Sequence, residues 1–415
     1  MLRVKTAVFP GKSDAVMDRE KGNGVEGFMK KQKIRIFIMT HRSFTPPSDP
    51  MYVPLQVGRA NQDPLGYLRD DLGDHISDLN AYYSELTGVY WLWKNYTDTD
   101  IIGICHYRRY LIAEDGHLYR EADFARLLSA YDMVVTKKLE LRMPYYDGFA
   151  STHDEKDLIE TERVVAEKYP SYAPLFHRMV HQKETYFANM MVCSKQLYDQ
   201  YCAWLFDILF EVQKRIDTTG YDNYRKRVYG FLSEFLLTVW IEKNGLHVYE
   251  SCVGMSSEKY ETEQIKQRLA VYFANQDIAG AKQYFLQQLD KRPDVLMEAS
   301  DIRGELKLCM QVISTCEYEK QRGEITMVER GMSFEELLAQ MKELNRFMER
   351  LTGEYPDQLQ QNGGSQPLEF TPDSDVGKQV FTYVREHPVS LMAAGIAGVV
   401  VEKLCCPTSQ SVSEH

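Results

Sequence analysis

The sequence predicts an α/β domain followed by an α-helical region. Three observations carry this. Short apolar runs at 34–40, 101–107 and 131–136 read as buried strands. Amphipathic segments lie between them. From residue 263 onward the apolar runs give way to Ala, Leu, Gln, Glu and Lys at helical spacing. Continuous apolar strands separated by helices imply a central, mostly parallel sheet flanked by helices on both faces.

Residues 34–40 (IRIFIMT) form the first strand, stopped by His41-Arg42 and a Pro-rich loop. Residues 52–59 (YVPLQVGR) follow as a loop or edge strand, because Pro54 and Gly58 disfavour a central one. Residues 77–95 predict one helix with Leu86, Val89, Tyr90 and Trp93 on a single face. Next come a strand at 101–107 (IIGICHY), a helix at 121–130, a strand at 131–136 (YDMVVT), a strand at 189–193 (NMMVC) and a long helix at 195–216. A helix over 230–244 ends at Gly245. Residues 263–322 read as hairpin helices broken at Pro293, and Ser333 with Glu336 forms a capping box for a helix over 334–351. Residues 360–375 carry Gly, Gln, Pro and Ser without a period, as a flexible linker does. The predicted division is an N-terminal extension at 1–32, expected to be disordered, an α/β domain at 33–256, a helical region at 257–355, a linker at 356–375 and a tail with a short apolar helix at 376–415.

Hydrophobic residues at 44% and charged residues at 26% describe a folded globular chain. A net charge of -11 removes any whole-chain attraction to nucleic acid or anionic lipid, so a phosphate site must be a local basic patch. The eight scattered cysteines contain no CxxC, which argues against a zinc or redox pair and for reduced thiols in a cytoplasmic protein. The first 32 residues lack a secretory signal pattern. The apolar segment 389–401 is shorter than the ~20 residues needed to span a bilayer. It can lie against the inner face of the membrane if an acceptor is lipid-linked, although packing on its own domain is the simpler account.

The most informative segment is CHYRRY at 105–110, at the end of an apolar strand. Ligands of open α/β sheets gather outside the carboxyl ends of the strands. There His106, Arg108 and Arg109 can meet an anion, and guanidinium groups suit a diphosphate through paired, charge-assisted hydrogen bonds. A solvated basic loop is the plain alternative. Lys137, closing the next strand, adds a second cation at a similar end. Glu234 lies in the otherwise apolar GFLSEFLLTVW, where burial raises a carboxylate toward the range of a general base; an ion pair with Arg225 or Arg227 is the alternative. Gly58 beside Gln56 lets backbone approach a base or ribose, and His41, Gln56, Gly58 and Asn80 are assigned to the nucleotide. His153 is a candidate acceptor contact, although the acidic turn that follows it fits an ordinary helix start. Tyr186, Phe187 and Trp204 can stack on a sugar or pack in a core.

The segments YVPLQVGRA, GDHISDLNAYYSELTGVYWLWKN, DIIGICHYRRYL, YDMVVTKK, YFANMMVCSKQLYDQYCAWLFDIL and YGFLSEFLLTVWIEKN, in this order over 33–256, resemble a family of bacterial capsular and exopolysaccharide biosynthesis glycosyltransferases, formerly a domain of unknown function. The resemblance implies a GT-A-like fold and transfer of a sugar from a nucleotide-sugar, UDP-linked and in some relatives galactofuranose, to a glycan or lipid-linked acceptor. It also implies that Asn189, in FANMMV, lies near the acceptor. Members often carry Arg after the glutamate of GFLSE, where this chain has Phe235.

Such enzymes often hold Mn²⁺ or Mg²⁺ with a DxD pair. Here Asp98 and Asp100 precede the 101–107 strand, and Asp373 and Asp375 lie in the expected linker, so no metal ligand is assigned and the arginine cluster stands in for the metal. The competing expectation is a non-catalytic glycan-binding or scaffold protein of a polysaccharide-assembly system.

Overall fold

The computed structural model describes residues 32–296, 300–355 and 367–405. The expected N-terminal extension, apart from its last residue, and residues 356–366 of the expected linker lie outside these. The chain divides into two compact units, 1–257 and 258–415.

The first unit is built on strands β1 (Ile34–Thr40), β2 (Tyr52–Gln56), β3 (Leu68–Arg69), β4 (Ile101–His106), β5 (Arg109–Ile112), β6 (Met133–Thr136), β7 (Leu139–Glu140), β8 (Glu184–Thr185), β9 (Met191–Ser194) and β10 (Val248–Met255). Strands β3, β2, β1 and β4 pair in parallel. Strand β9 then pairs antiparallel with both β4 and β6, β10 runs parallel to β6, and β5 returns antiparallel against β10 and the end of β4. Strands β7 and β8 form a separate ribbon. The main sheet is therefore mixed, which corrects the expectation of a mostly parallel one. A tight turn at Tyr107-Arg108 converts the end of the 101–107 run into a hairpin, and β10 has too irregular a burial pattern for periodicity to reveal it.

Alternation along β1 shows why both faces are covered. Ile34, Ile36 and Ile38 pack on one side with Phe124 and Leu127 of α3 (Glu121–Leu128). Phe37 and Met39 pack on the other with residues of α2 (Leu86–Asn95), α7 (Lys195–Arg215) and α8 (Val228–Lys243). Each fully buried aliphatic or aromatic side chain contributes about 1.5–3 kcal/mol. Trp204 stacks on Tyr172 (5.1 Å) within this core, so it is packed and presents no sugar platform.

The predicted helix at 77–95 is broken. A 3-10 turn (Ser77–Leu79) leads into α1 (Asn80–Tyr83); Ser84 then takes φ 50°, ψ -129°, and the chain restarts as α2. Amphipathic spacing persisted across the break, which is why periodicity did not reveal it. Helices α4 (Tyr145–Ala150), α5 (Glu155–Lys168) and α6 (Ala173–Val180) complete the layer.

The second unit holds α9 (Tyr260–Ala274), α10 (Ile278–Lys291), α11 (Glu305–Gln321), α12 (Phe334–Glu354), α13 (Asp375–Glu386) and α14 (Leu391–Cys405). Ser333 and Glu336 form the expected capping box. The separation of a linker and tail is corrected over the described residues. Leu368, Val376, Val380, Ala393, Ala394 and Ala397 share one core with α9–α12, and the Leu368 amide donates to the Gly395 carbonyl (3.2 Å). Among the described residues no helix is long and apolar enough to cross a membrane.

Candidate functional site

Because β4 and β6 both run antiparallel to β9, they are parallel to each other, and β10 follows β6. The carboxyl ends of β1, β2, β4 and β6 and the amino end of β9 thus share one edge. This edge brings together His41, His106, Arg109, Lys137 and Asn189.

At its centre is the Ala188-Asn189 elbow. Both residues occupy the left-handed region (φ 73° and 49°), which costs a non-glycine residue about 1–3 kcal/mol and persists only where surroundings enforce it. His106 Nε2 donates to the Ala188 carbonyl (2.6 Å), and the Ala188 amide donates to Glu234 Oε1 (2.9 Å). Asn189 Nδ2 donates to Glu85 Oε1 (2.8 Å) and to the Gly230 carbonyl (3.3 Å), while its Oδ1 accepts from Ser233 Oγ (3.0 Å). Asn189, expected near an acceptor, is also a buried strut between α2 and α8.

Glu234 is pushed up to about 8, first by burial and then by the charge of Glu85; the Ala188 amide, Arg109 and Arg227 pull the other way. Among the described residues the alternative, an ion pair of Glu234 with Arg225 or Arg227, does not form. Arg227 lies over the rings of Tyr224 and Phe231 (5.1 and 5.5 Å), and Arg225 faces Asp222 (3.9 Å). Phe235, in the position of the usual arginine, stacks on Tyr145 (4.4 Å) in the core. Burial also lowers His106, with Arg109 and Arg108 opposing Glu85. The same burial disfavours a charged imidazole, so the arginines carry the positive charge of this cluster. Arg108 sits in the hairpin turn, 7% exposed, with Nη1 donating to the Ser257 carbonyl (3.3 Å). Arg109 is half-buried, opposite His106 in the hairpin. Lys137 is exposed, and its amide donates to the Ser251 carbonyl (3.1 Å). His41 packs edge-on against Tyr107 (5.5 Å), joining the end of β1 to the hairpin turn.

The other nucleotide candidates serve a structural hub. Gln56, assigned to the nucleotide, is buried; its Nε2 donates to the Asp63 carbonyl (2.7 Å) and its Oε1 accepts from the Leu65 amide (2.9 Å), so it holds the loop after β2. Gly58 and Asn80 meet beside Asp70, a fully buried carboxylate that sequence reading missed. Each Asp70 oxygen takes one amide and one hydroxyl: Oδ2 from Gly58 and Thr87, Oδ1 from Arg59 and Ser77. Gly58 holds φ 69°, and a Cβ there would lie 2.6 Å from Asn80 Cγ. Gly58→Ala is therefore expected to lower the melting temperature by several degrees, measured calorimetrically, through strain and displacement of Asn80.

His153 is not on the elbow. It stacks on Phe149 (4.7 Å) between Tyr224 and Phe231, and burial followed by Arg227 and Arg225 lowers it to about 4. Asp98 and Asp100 pair with Lys33 at the amino end of β4, on the opposite edge of the sheet. Among the described residues no group of three His, Cys, Asp or Glu side chains is placed to hold a metal.

The domain family described as a domain of unknown function, DUF4422, matches residues 35–245, just over half of the chain. No curated protein matches. Among solved structures, the apo structure of WbbM, a bifunctional glycosyltransferase, is similar at 26% identity and TM-score 0.50, over 55% of this chain and 46% of WbbM. The match thus spans under half of that enzyme. The chain belongs to the DUF4422 family.

Proposed function

We propose that this protein is a glycosyltransferase with a GT-A-like domain that moves a sugar from a nucleotide-sugar, UDP-linked, to a glycan or lipid-linked glycan acceptor. The observation that carries the reading is Glu234, a carboxylate raised to about 8 and oriented by the Ala188 amide, on the sheet edge that also presents Arg109 and Lys137. The strand order supports a GT-A-like fold, with four parallel strands followed by antiparallel β9 set between β4 and β6. On this reading Glu234 takes the proton of the acceptor hydroxyl as its oxygen bonds to the anomeric carbon. The bond from that carbon to the diphosphate breaks, and its electron pair leaves with the nucleotide. Arg109, with Arg108 and Lys137, offsets the charge developing on the diphosphate. A role in capsular or exopolysaccharide synthesis, galactofuranose as the donor sugar and a cytoplasmic site of action belong to the same proposal.

The test is a thermal-shift series with UDP and UDP-sugars, in Mn²⁺ and in chelator. A ligand at 100 times its Kd stabilises by about 2.7 kcal/mol, several degrees for a unit of this size. UDP is expected to raise the melting temperature in chelator as well as in Mn²⁺, and Arg109→Ala to remove the shift. A full shift in Arg109→Ala would move the diphosphate elsewhere. A shift seen only with Mn²⁺ would replace the arginines by a metal.

A further inference from the structure

Glu85 is the least expected member of the elbow. It follows Ser84, whose φ of 50° breaks the helix and starts α2 anew, and it reaches Asn189 across 104 residues of sequence. Its other carboxylate oxygen takes no hydrogen bond from the described residues, and the same holds for the second oxygen of Glu234. Two carboxylates from two helices thus spend one oxygen each on consecutive residues of a strained turn.

We propose that Glu85 is a positioning residue for glycosyl transfer: through Asn189 it fixes the Ala188-Asn189 elbow, and with it the amide that orients Glu234. This rests on the reading of Glu234 as the base. The charged and titratable groups facing Glu234 come from several elements: Glu85 at the start of α2, Arg109 on β5, Arg227 ahead of α8 and Tyr145 on α4. His106 holds the same elbow from β4. Of these, Glu85 is the anion that opposes ionisation of Glu234, after burial itself. The positioning contact and the charge are separable, because glutamine keeps an oxygen for Asn189 and removes the charge.

The experiment uses the full chain with ¹³C at the glutamate carboxyl carbons. The Glu234 resonance is identified by its loss in Glu234→Gln and followed through a pH titration. Glu85→Gln is expected to lower the Glu234 midpoint by about one unit, and to shift the pH profile of UDP-sugar turnover by the same amount. Glu85→Ala, which also releases Asn189, is expected to raise the acceptor KM about tenfold further, with Glu85→Gln restoring it. An acceptor KM in Glu85→Ala equal to that of the native enzyme overturns the proposal, since an elbow that Glu85 does not hold would leave it in place. If Glu85→Ala does not fold, Glu85→Asp, which keeps the charge and shortens the reach to Asn189, decides by the same KM. Full turnover in Glu234→Gln would defeat the general-base reading instead, whatever Glu85 does to the titration.

Discussion

Glu234→Gln is expected to lower the transfer rate by about 10²–10⁴ while leaving UDP binding intact, since a general base contributes that much to the reaction and little to ground-state binding. The amide of glutamine keeps an oxygen for the Ala188 N–H but cannot take the acceptor proton. The pH dependence follows from the sign of the shift. A carboxyl raised to about 8 is mostly protonated at pH 7, so kcat/KM of the native enzyme is expected to rise with pH and level off above about 8. The residual rate of Glu234→Gln should lack that limb. The same group makes stability depend on pH. The folded state holds this proton more tightly than the unfolded chain, so its stabilising contribution is complete below the ordinary glutamate range and is lost as pH rises toward 8. Glu234→Gln is therefore expected to melt higher than the native protein above pH 8, with the two converging in mild acid. Equal melting temperatures at every pH would show that Glu234 is not perturbed.

Asp70→Ala is expected to produce the largest loss of stability. Its carboxylate accepts from the Gly58 and Arg59 amides and from the Ser77 and Thr87 hydroxyls, and all four donors lose their acceptor together. With about 1–3 kcal/mol for each buried group left unsatisfied, and some relief from hydroxyl rotation and entering water, the loss is at least about 3 kcal/mol. At roughly 2–4 °C per kcal/mol for a domain of this size, that is a fall of about 6–12 °C by calorimetry. Asp70→Asn is expected to fall between the two, because one oxygen still accepts and the hydroxyls facing the new NH₂ can turn to receive it. A melting temperature for Asp70→Ala within a degree of the native value would remove Asp70 as the hub of the loop after β2.

Several parts of the fold were legible in local pattern. The alternation of Ile34, Ile36 and Ile38 with Phe37 and Met39 marks a strand covered on both faces, and the Ser333–Glu336 box marks the start of α12. The end of β4 at CHYRRY marked a candidate site edge, because ligands of open α/β sheets gather outside the carboxyl ends of the strands. Other parts left no local trace. The break at Ser84 lies inside a helical pattern, Asp70 sits in an undistinguished loop, and Glu85 and Glu234 reach Asn189 and Ala188 across 104 and 46 residues.

The sequence by itself determined the buried strands β1, β4 and β6, the helices α3, α7 and α8, and that basic groups follow the ends of β4 and β6, since burial is written into spacing along the chain. Only the tertiary structure decided that the sheet is mixed, that Gln56 serves a loop, and that Glu85 and the Ala188 amide are brought to Asn189 and Glu234. Strand direction and proton affinity depend on neighbours brought from distant parts of the chain, and the spacing of residues along one segment carries no record of what will pack against it.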